Sequence, residues 1–122
     1  MRVISFEKLI AWQKGRELAV LIYKTTKQFP KDELFGLTSQ MRRCSISIAS
    51  NLAEGSGRVS FKEKARFSEI AYSSSLELLN QVVLSNDFEY VSEHEYIQLR
   101  EKISEVNMLI DGLYKSQKAN FT

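Results

Sequence analysis

Apolar residues recur along most of the chain at the 3–4-residue spacing of one helix face, and no β-branched alternation interrupts that rhythm. From about Phe6 to Gln28, the residues Ala11, Gly15, Leu18, Ile22 and Phe29 share one face, with Trp12, Ala19 and Tyr23 beside them. Phe29-Pro30 stops this first helix, because a residue before proline is driven out of the helical region. A second helix is predicted from about Leu34 to Glu54 on the row Leu37, Met41, Cys44, Ile48 and Leu52. Gly36 and an N-cap at Thr38 would disturb its first turn, and Gly55 with Gly57 would end it. Ser60 with Glu63 reads as a capping box opening a third helix that reaches about Ser85. Ser92 with Glu95 repeats the device for a fourth, to about Lys118, with Leu99, Ile103, Val106, Ile110 and Leu113 facing inward. Ala119 to Thr122 are expected to fray.

Helices of this length joined by short loops pack antiparallel, so the expected fold is all-α, an up-down-up-down four-helix bundle forming one domain over residues 1–122. The third helix is too apolar for a simple member. Phe67, Ala71, Leu78 and Val82 make one row, and Phe61, Ala65, Tyr72, Leu79 and Val83 make another. Ile46 and Ala53 add apolar surface on the far side of the second helix. Apolar cover wider than one core requires points to a homo-oligomer.

A second periodic feature is polar. Gln40, Arg43, Ser47, Asn51 and Glu54 follow one another at spacings of 3, 4, 4 and 3. At ~100° per residue they fall within about 80° of arc, offset by about 90–100° from the apolar row. Such a row flanks a core without pointing straight into water. It reads as a hydrogen-bonded seam or as a ligand-facing groove.

The composition is that of an ordinary globular chain of 122 residues, 43% hydrophobic and 26% charged, long enough to need no metal or disulfide staple. Cys44 is the single cysteine and His94 the single histidine, which excludes an intramolecular disulfide and a Cys/His zinc cluster. The longest apolar run, Leu18 to Tyr23, is far short of the ~20 residues that span a bilayer, so a cytoplasmic protein without a membrane partner is expected.

Catalytic machinery is hard to assemble from these residues. His94 sits beside Glu93 and Glu95, remote in sequence from Cys44, and Cys44 falls on the apolar row, where a small core residue is the simpler reading. Gly55 and Gly57 follow a helix and lack the strand and Lys-Ser/Thr pair of a phosphate-binding loop. Glu63, Glu69 and Glu77 have no histidine three residues on, which disfavours a bridged di-metal centre. No catalytic residue, metal site or cofactor is expected.

Charge is more informative. Residues 1–66 hold 13 Lys/Arg against 6 Asp/Glu, whereas residues 67–122 hold 4 against 9. The difference describes either helices that attract one another or a basic face for a polyanion. Arg42, Arg58, Lys62, Lys64 and Arg66 surround the turn between the second and third helices and are the candidate contacts to nucleic-acid phosphates. Trp12, Tyr23, Tyr72, Tyr96 and Tyr114 fall on or beside apolar faces, so the sequence identifies no stacking platform for bases.

Trp12, Phe29-Pro30, Leu37, Gln40, Arg42-Arg43 and Ser47-Ile48 lead into Asn51-Leu52-Ala53-Glu54-Gly55 and Arg58, and the small-residue run Ala71 to Ser75 precedes Glu77-Leu78. This series resembles the bacterial four-helix-bundle proteins encoded in intervening sequences of large-subunit (23S) ribosomal RNA genes. The resemblance implies four-helix bundles that assemble as ring-shaped pentamers. It also implies kinship with the accessory bundle that serves beside a reverse transcriptase in diversity-generating retroelements. Its functional implication is association with RNA or an RNA-handling protein, with no established enzymatic activity. The competing expectation is an oligomeric protein-interaction scaffold in which the polar row closes the subunit seam.

Overall fold

The computed structural model describes residues 1–121. Among them, four α-helices follow a 3-10 turn at Ser5–Lys8: α1 (Ile10–Thr26), α2 (Leu37–Ser56), α3 (Phe61–Asp87) and α4 (Glu93–Lys118). A second 3-10 turn, Lys31–Glu33, lies between α1 and α2. Each helix packs on the one before it, and α4 closes back on α1. The fold is an all-α, up-down-up-down four-helix bundle.

The core is the set of rows that helical periodicity defines. Leu18, Ile22, Met41, Ile48, Leu78, Val82, Leu99, Ile103, Val106 and Ile110 are completely buried. At roughly 1.5–3 kcal/mol for a fully buried aliphatic side chain, this layer dominates the cohesion of the bundle. The second apolar row of α3 divides: Ala65 is buried, Leu79 and Val83 are half-buried, and Phe61 and Tyr72 remain exposed. Small polar residues complete the stripe, since Ser68, Ser75 and Ser85 are buried too. Ser75 and Ser85 return their hydroxyl protons to the carbonyls of Tyr72 and Gln81, at 2.6 and 2.8 Å, so their burial leaves no donor unpaired.

Helix boundaries show where local chemistry differs from the expected signals. Ser92 and Glu95 form the reciprocal capping box in full, at 3.1 and 2.8 Å. Ser60 caps the Glu63 amide at 3.1 Å, but Glu63 swings toward Arg66 and does not return the bond. Thr38 is a buried residue inside the first turn of α2; the cap comes from Glu33, whose carboxylate accepts the Leu37 amide at 3.3 Å. The 3-10 turn at Ser5–Lys8 precedes a later start of α1, and α1 ends at Thr26 before Phe29-Pro30. Ala119, Asn120 and Phe121 continue in hydrogen-bonded turns beyond α4, and Thr122 lies outside the described residues.

Gly55 is a packing residue and does not end α2, which continues to Ser56. A Cβ built on it would stand 2.7 Å from the Phe67 Cβ, closer than side chains tolerate. Its missing side chain is therefore what lets α2 and α3 approach beside their turn. At the other end, Glu89 holds a left-handed φ of 63° to close α3, with the Tyr90 amide bonding the Ser85 carbonyl at 2.9 Å.

Two substitutions check these backbone assignments by urea or thermal denaturation. Gly55→Ala is expected to destabilise by about 1–3 kcal/mol through overpacking on Phe67. Glu89→Gly is expected to stabilise by about 0.5–1 kcal/mol, because glycine accepts the left-handed conformation without a Cβ penalty.

Candidate functional site

The α2–α3 turn presents Arg58, Lys62, Lys64 and Arg66 at one end of the bundle. Lys64 folds back so that its Nζ donates to the Ser56 carbonyl at 2.8 Å, occupying an acceptor that the end of α2 leaves open. Arg58 lies over the Phe67 ring at 4.6 Å and meets Glu54 at 3.9 Å. Arg66 meets Glu63 at the same distance. These two ion pairs are long and exposed, so they leave most of each cation's field available to solvent. Lys62 has no ion pair among the described residues.

Antiparallel topology adds charge from remote parts of the sequence. The 3-10 turn with Lys8 and the last turn of α4 with Lys115 and Lys118 arrive at this same end. Lys115 is paired with Asp111 at 2.9 Å. At the opposite end Asp87, Glu89, Glu93 and Glu95 cluster where α3 turns into α4, and Lys24, Lys27 and Lys31 around the α1–α2 connection, with Arg42 and Arg43 near the start of α2, offset their charge. The Ser92 backbone amide, with its side chain and Gln28 assisting, holds the Glu95 carboxyl below its usual range. The cations of residues 1–66 are thus divided between the two ends, and an excess over carboxylates survives at the α2–α3 end.

At the basic end a cleft of about 440 Å³ opens between α2, α3, α4 and the 3-10 turn that precedes α1. Its apolar walls are Leu9, Leu52, Phe61 and Leu113, and Lys8 and Lys64 bring ammonium groups to it. Ser68 and Gln117 lie deep in it, the Ser68 hydroxyl donating to Gln117 Oε1 at 2.7 Å. Phe61, Lys8 and Gln117 were not recognisable as neighbours from residue spacing. The signal that joins them is the antiparallel order, which returns both outer helix ends to the α2–α3 turn.

Arg42 is not part of this end. It lies near the start of α2, roughly 20 Å of helix rise from the turn. Its Nε donates to Thr26 Oγ1 at 3.0 Å, and its guanidinium stacks over Tyr23 at 4.7 Å. Thr26 Oγ1 in turn donates to the Ile22 carbonyl at 2.8 Å. Arg42 therefore clamps α1 to α2.

The polar row of α2 lies along the groove with α3. Ser47 meets Ser74 of α3 at 2.9 Å, and Asn51 Nδ2 donates to the Ser47 carbonyl at 2.8 Å and its Oγ at 3.1 Å. These two half-buried residues form a short hydrogen-bonded seam within the chain. Gln40, Arg43 and Glu54 are exposed, and Gln40 and Arg43 border an open groove of about 370 Å³ with Glu77 opposite. Cys44 lies at its floor; burial pushes its thiol up, so it is a thiol and not a thiolate at neutral pH. His94 is exposed in the first turn of α4.

Between α1 and α4, Lys102 sits 2.7 Å from Glu17 and 3.2 Å from Glu105, so the charges of that groove close on one another. Among the described residues no group of three or more His, Cys, Asp or Glu is placed to hold a metal. None of the helices is long and apolar enough to cross a membrane.

The helices that build the seam, the basic turn and most of the cleft fall within residues 7–112, which match the profile of 23S rRNA-intervening sequence proteins. The chain belongs to this family. A crystal structure of a protein of unknown function from the S23 ribosomal protein family of Bacteroides thetaiotaomicron superposes with a TM-score of 0.80. It is 23% identical and covers 87% of this chain and 96% of its own, a likeness that establishes the shared bundle fold. No curated protein matches the chain. In this rRNA-intervening-sequence bundle, the Asn51 to Gly55 stretch serves packing at two points: Asn51 braces the Ser47 seam, and Gly55 admits Phe67.

Arg42→Ala is expected to lower stability by about 1–2 kcal/mol, through loss of the Thr26 hydrogen bond and the Tyr23 stack. Urea denaturation measures that loss, and unchanged stability would remove Arg42 as the clamp.

Proposed function

We propose that the chain is a non-enzymatic nucleic-acid-associating bundle whose basic end binds RNA or DNA phosphates. The observation that carries this reading is the convergence of Arg58, Lys62, Lys64 and Arg66 with Lys8 at one end of the bundle. Such a concentration of cations draws a polyanion toward this end. Lysine and arginine on phosphates give affinity through counterion release, largely without regard to sequence. Membership in a family named for 23S rRNA intervening sequences supports RNA as the first partner to try.

Self-association accompanies this reading. Ile46, Ile70, Leu76 and Leu84 are each 36–46% exposed on the outer sides of α2 and α3, apolar surface that a second copy or a partner protein would cover. A ring of copies, a pentamer on the family resemblance, would multiply the number of basic ends that one strand meets. If the bundle binds proteins and no nucleic acid, the oligomeric scaffold replaces this reading.

Fluorescence anisotropy with a labelled single-stranded RNA tests the phosphate contacts across a salt series. Engagement of four phosphates gives a log–log slope of about −3 for a single strand. Arg58→Glu combined with Lys62→Glu is expected to weaken binding at least tenfold and flatten the slope, whereas Lys24→Glu with Lys27→Glu leaves both unchanged. Equal affinity of the first double variant and the wild type would overturn the proposal. Light scattering of the RNA-free protein reads the assembly, and a monomer at all concentrations would remove the association through α2 and α3.

A further inference from the structure

The cleft at the basic end differs from an ordinary bundle end in the chemistry it offers. No acidic residue lines it among the described residues, while two ammonium groups, Lys8 and Lys64, do. Lys64 spends one proton on the Ser56 carbonyl and keeps two; Lys8 has no ion pair among the described residues. Deeper in, Gln117 is 92% buried, being 8% exposed, and its Oε1 is taken by Ser68. Its Nε2 donates to nothing among the described residues. An amide donor that has no protein acceptor among the described residues and keeps access to solvent in the wall of a cleft is free to meet an acceptor on a ligand.

The rest of the lining is apolar, and one member is aromatic. Phe61 is the first residue of α3 and 43% exposed, with Leu9, Leu52 and Leu113 beside the same space. At about 440 Å³ the cleft lies within the ~300–1,000 Å³ range of small-ligand sites. Its occupant must be anionic at the rim, flat and apolar in the body, and equipped with an acceptor at its inner edge. An unpaired nucleotide has those three parts: a phosphate, a base face, and base-edge acceptors.

We propose that this cleft receives one unpaired nucleotide of a single strand, with its phosphate at Lys8 and Lys64, its base against Phe61, and a base-edge acceptor on the Gln117 amide. The inference rests on the phosphate-binding reading of the same end and adds to it a preference for single strands. In a duplex the base faces are stacked and the edges paired, so neither Phe61 nor Gln117 can reach them.

The test compares a single-stranded oligonucleotide carrying 2-aminopurine with a blunt duplex of equal length, using wild type, Phe61→Ala and Phe61→Leu. Phe61→Leu keeps apolar volume at the helix start and guards against a folding defect, which circular dichroism checks. Expected are tighter binding of the single strand and a change in 2-aminopurine emission on binding. Both Phe61 variants should lose about fivefold or more in single-strand affinity and abolish the emission change, with duplex affinity unaltered. Salt-dependent binding of both strands alike, indifferent to Phe61, would overturn the cleft as a base site and leave the phosphate contacts standing. Binding of free adenosine monophosphate as tight as that of the strand would overturn the strand as occupant. Absence of binding to any strand would overturn this inference and the phosphate-binding reading together.

Discussion

The close approach of α2 and α3 at Gly55 and Phe67 is the constraint on which the functional end depends. With no Cβ at position 55, the Phe67 side chain lies against the α2 backbone, and its ring becomes the bed on which Arg58 rests. Lys64, one turn before Phe67, is thereby brought to the Ser56 carbonyl. A single missing methyl group thus positions two cations and one wall of a cleft. The same contact explains why the turn is short: α2 ends at Ser56 and α3 begins at Phe61.

Topology does the remaining assembly. In an up-down-up-down bundle the start of α1, the α2–α3 turn and the end of α4 share one end, so Lys8, Lys62 and Gln117 become neighbours of a common region despite their separation in sequence. The other end receives the α1–α2 and α3–α4 connections. There Tyr90 donates to Glu33 at 3.0 Å and packs its ring on Phe29 at 5.3 Å, while Gln28 bonds Glu95. That end is laced by cross-links between its two connections, and the basic end is left open around its cleft.

Much of the fold was legible in the sequence, because burial follows periodicity. The inward rows of α1 and α4 were read residue by residue, and the Ser92–Glu95 cap is present in both directions. Where local signals failed, a tertiary competitor had the stronger claim. Gly55 looks like a helix stop until Phe67 is placed beside it. Thr38 looks like a cap, yet Glu33 reaches the helix from the preceding turn. The candidate site was half legible. Arg58, Lys62, Lys64 and Arg66 stay together because they adjoin one turn, whereas Arg42 belongs to the α1–α2 contact, which adjacency to Arg43 could not reveal. Ser47 and Asn51 make a seam, but Gln40, Arg43 and Glu54 on the same row stay exposed, since a row spanning about 80° straddles the edge of the groove.

The order of helix contacts also bears on how the chain acquires this shape. Three of its four main interfaces join consecutive helices, and only the closure of α4 on α1 is distant in sequence. Such a topology has low contact order, and helical bundles of this kind fold in microseconds to milliseconds. The cleft is completed only when α4 brings Leu113 and Gln117 to Lys8 and Phe61. Assembly of the binding end therefore coincides with the one slow, long-loop event in folding, so a nascent chain lacking α4 would carry the basic turn without its pocket.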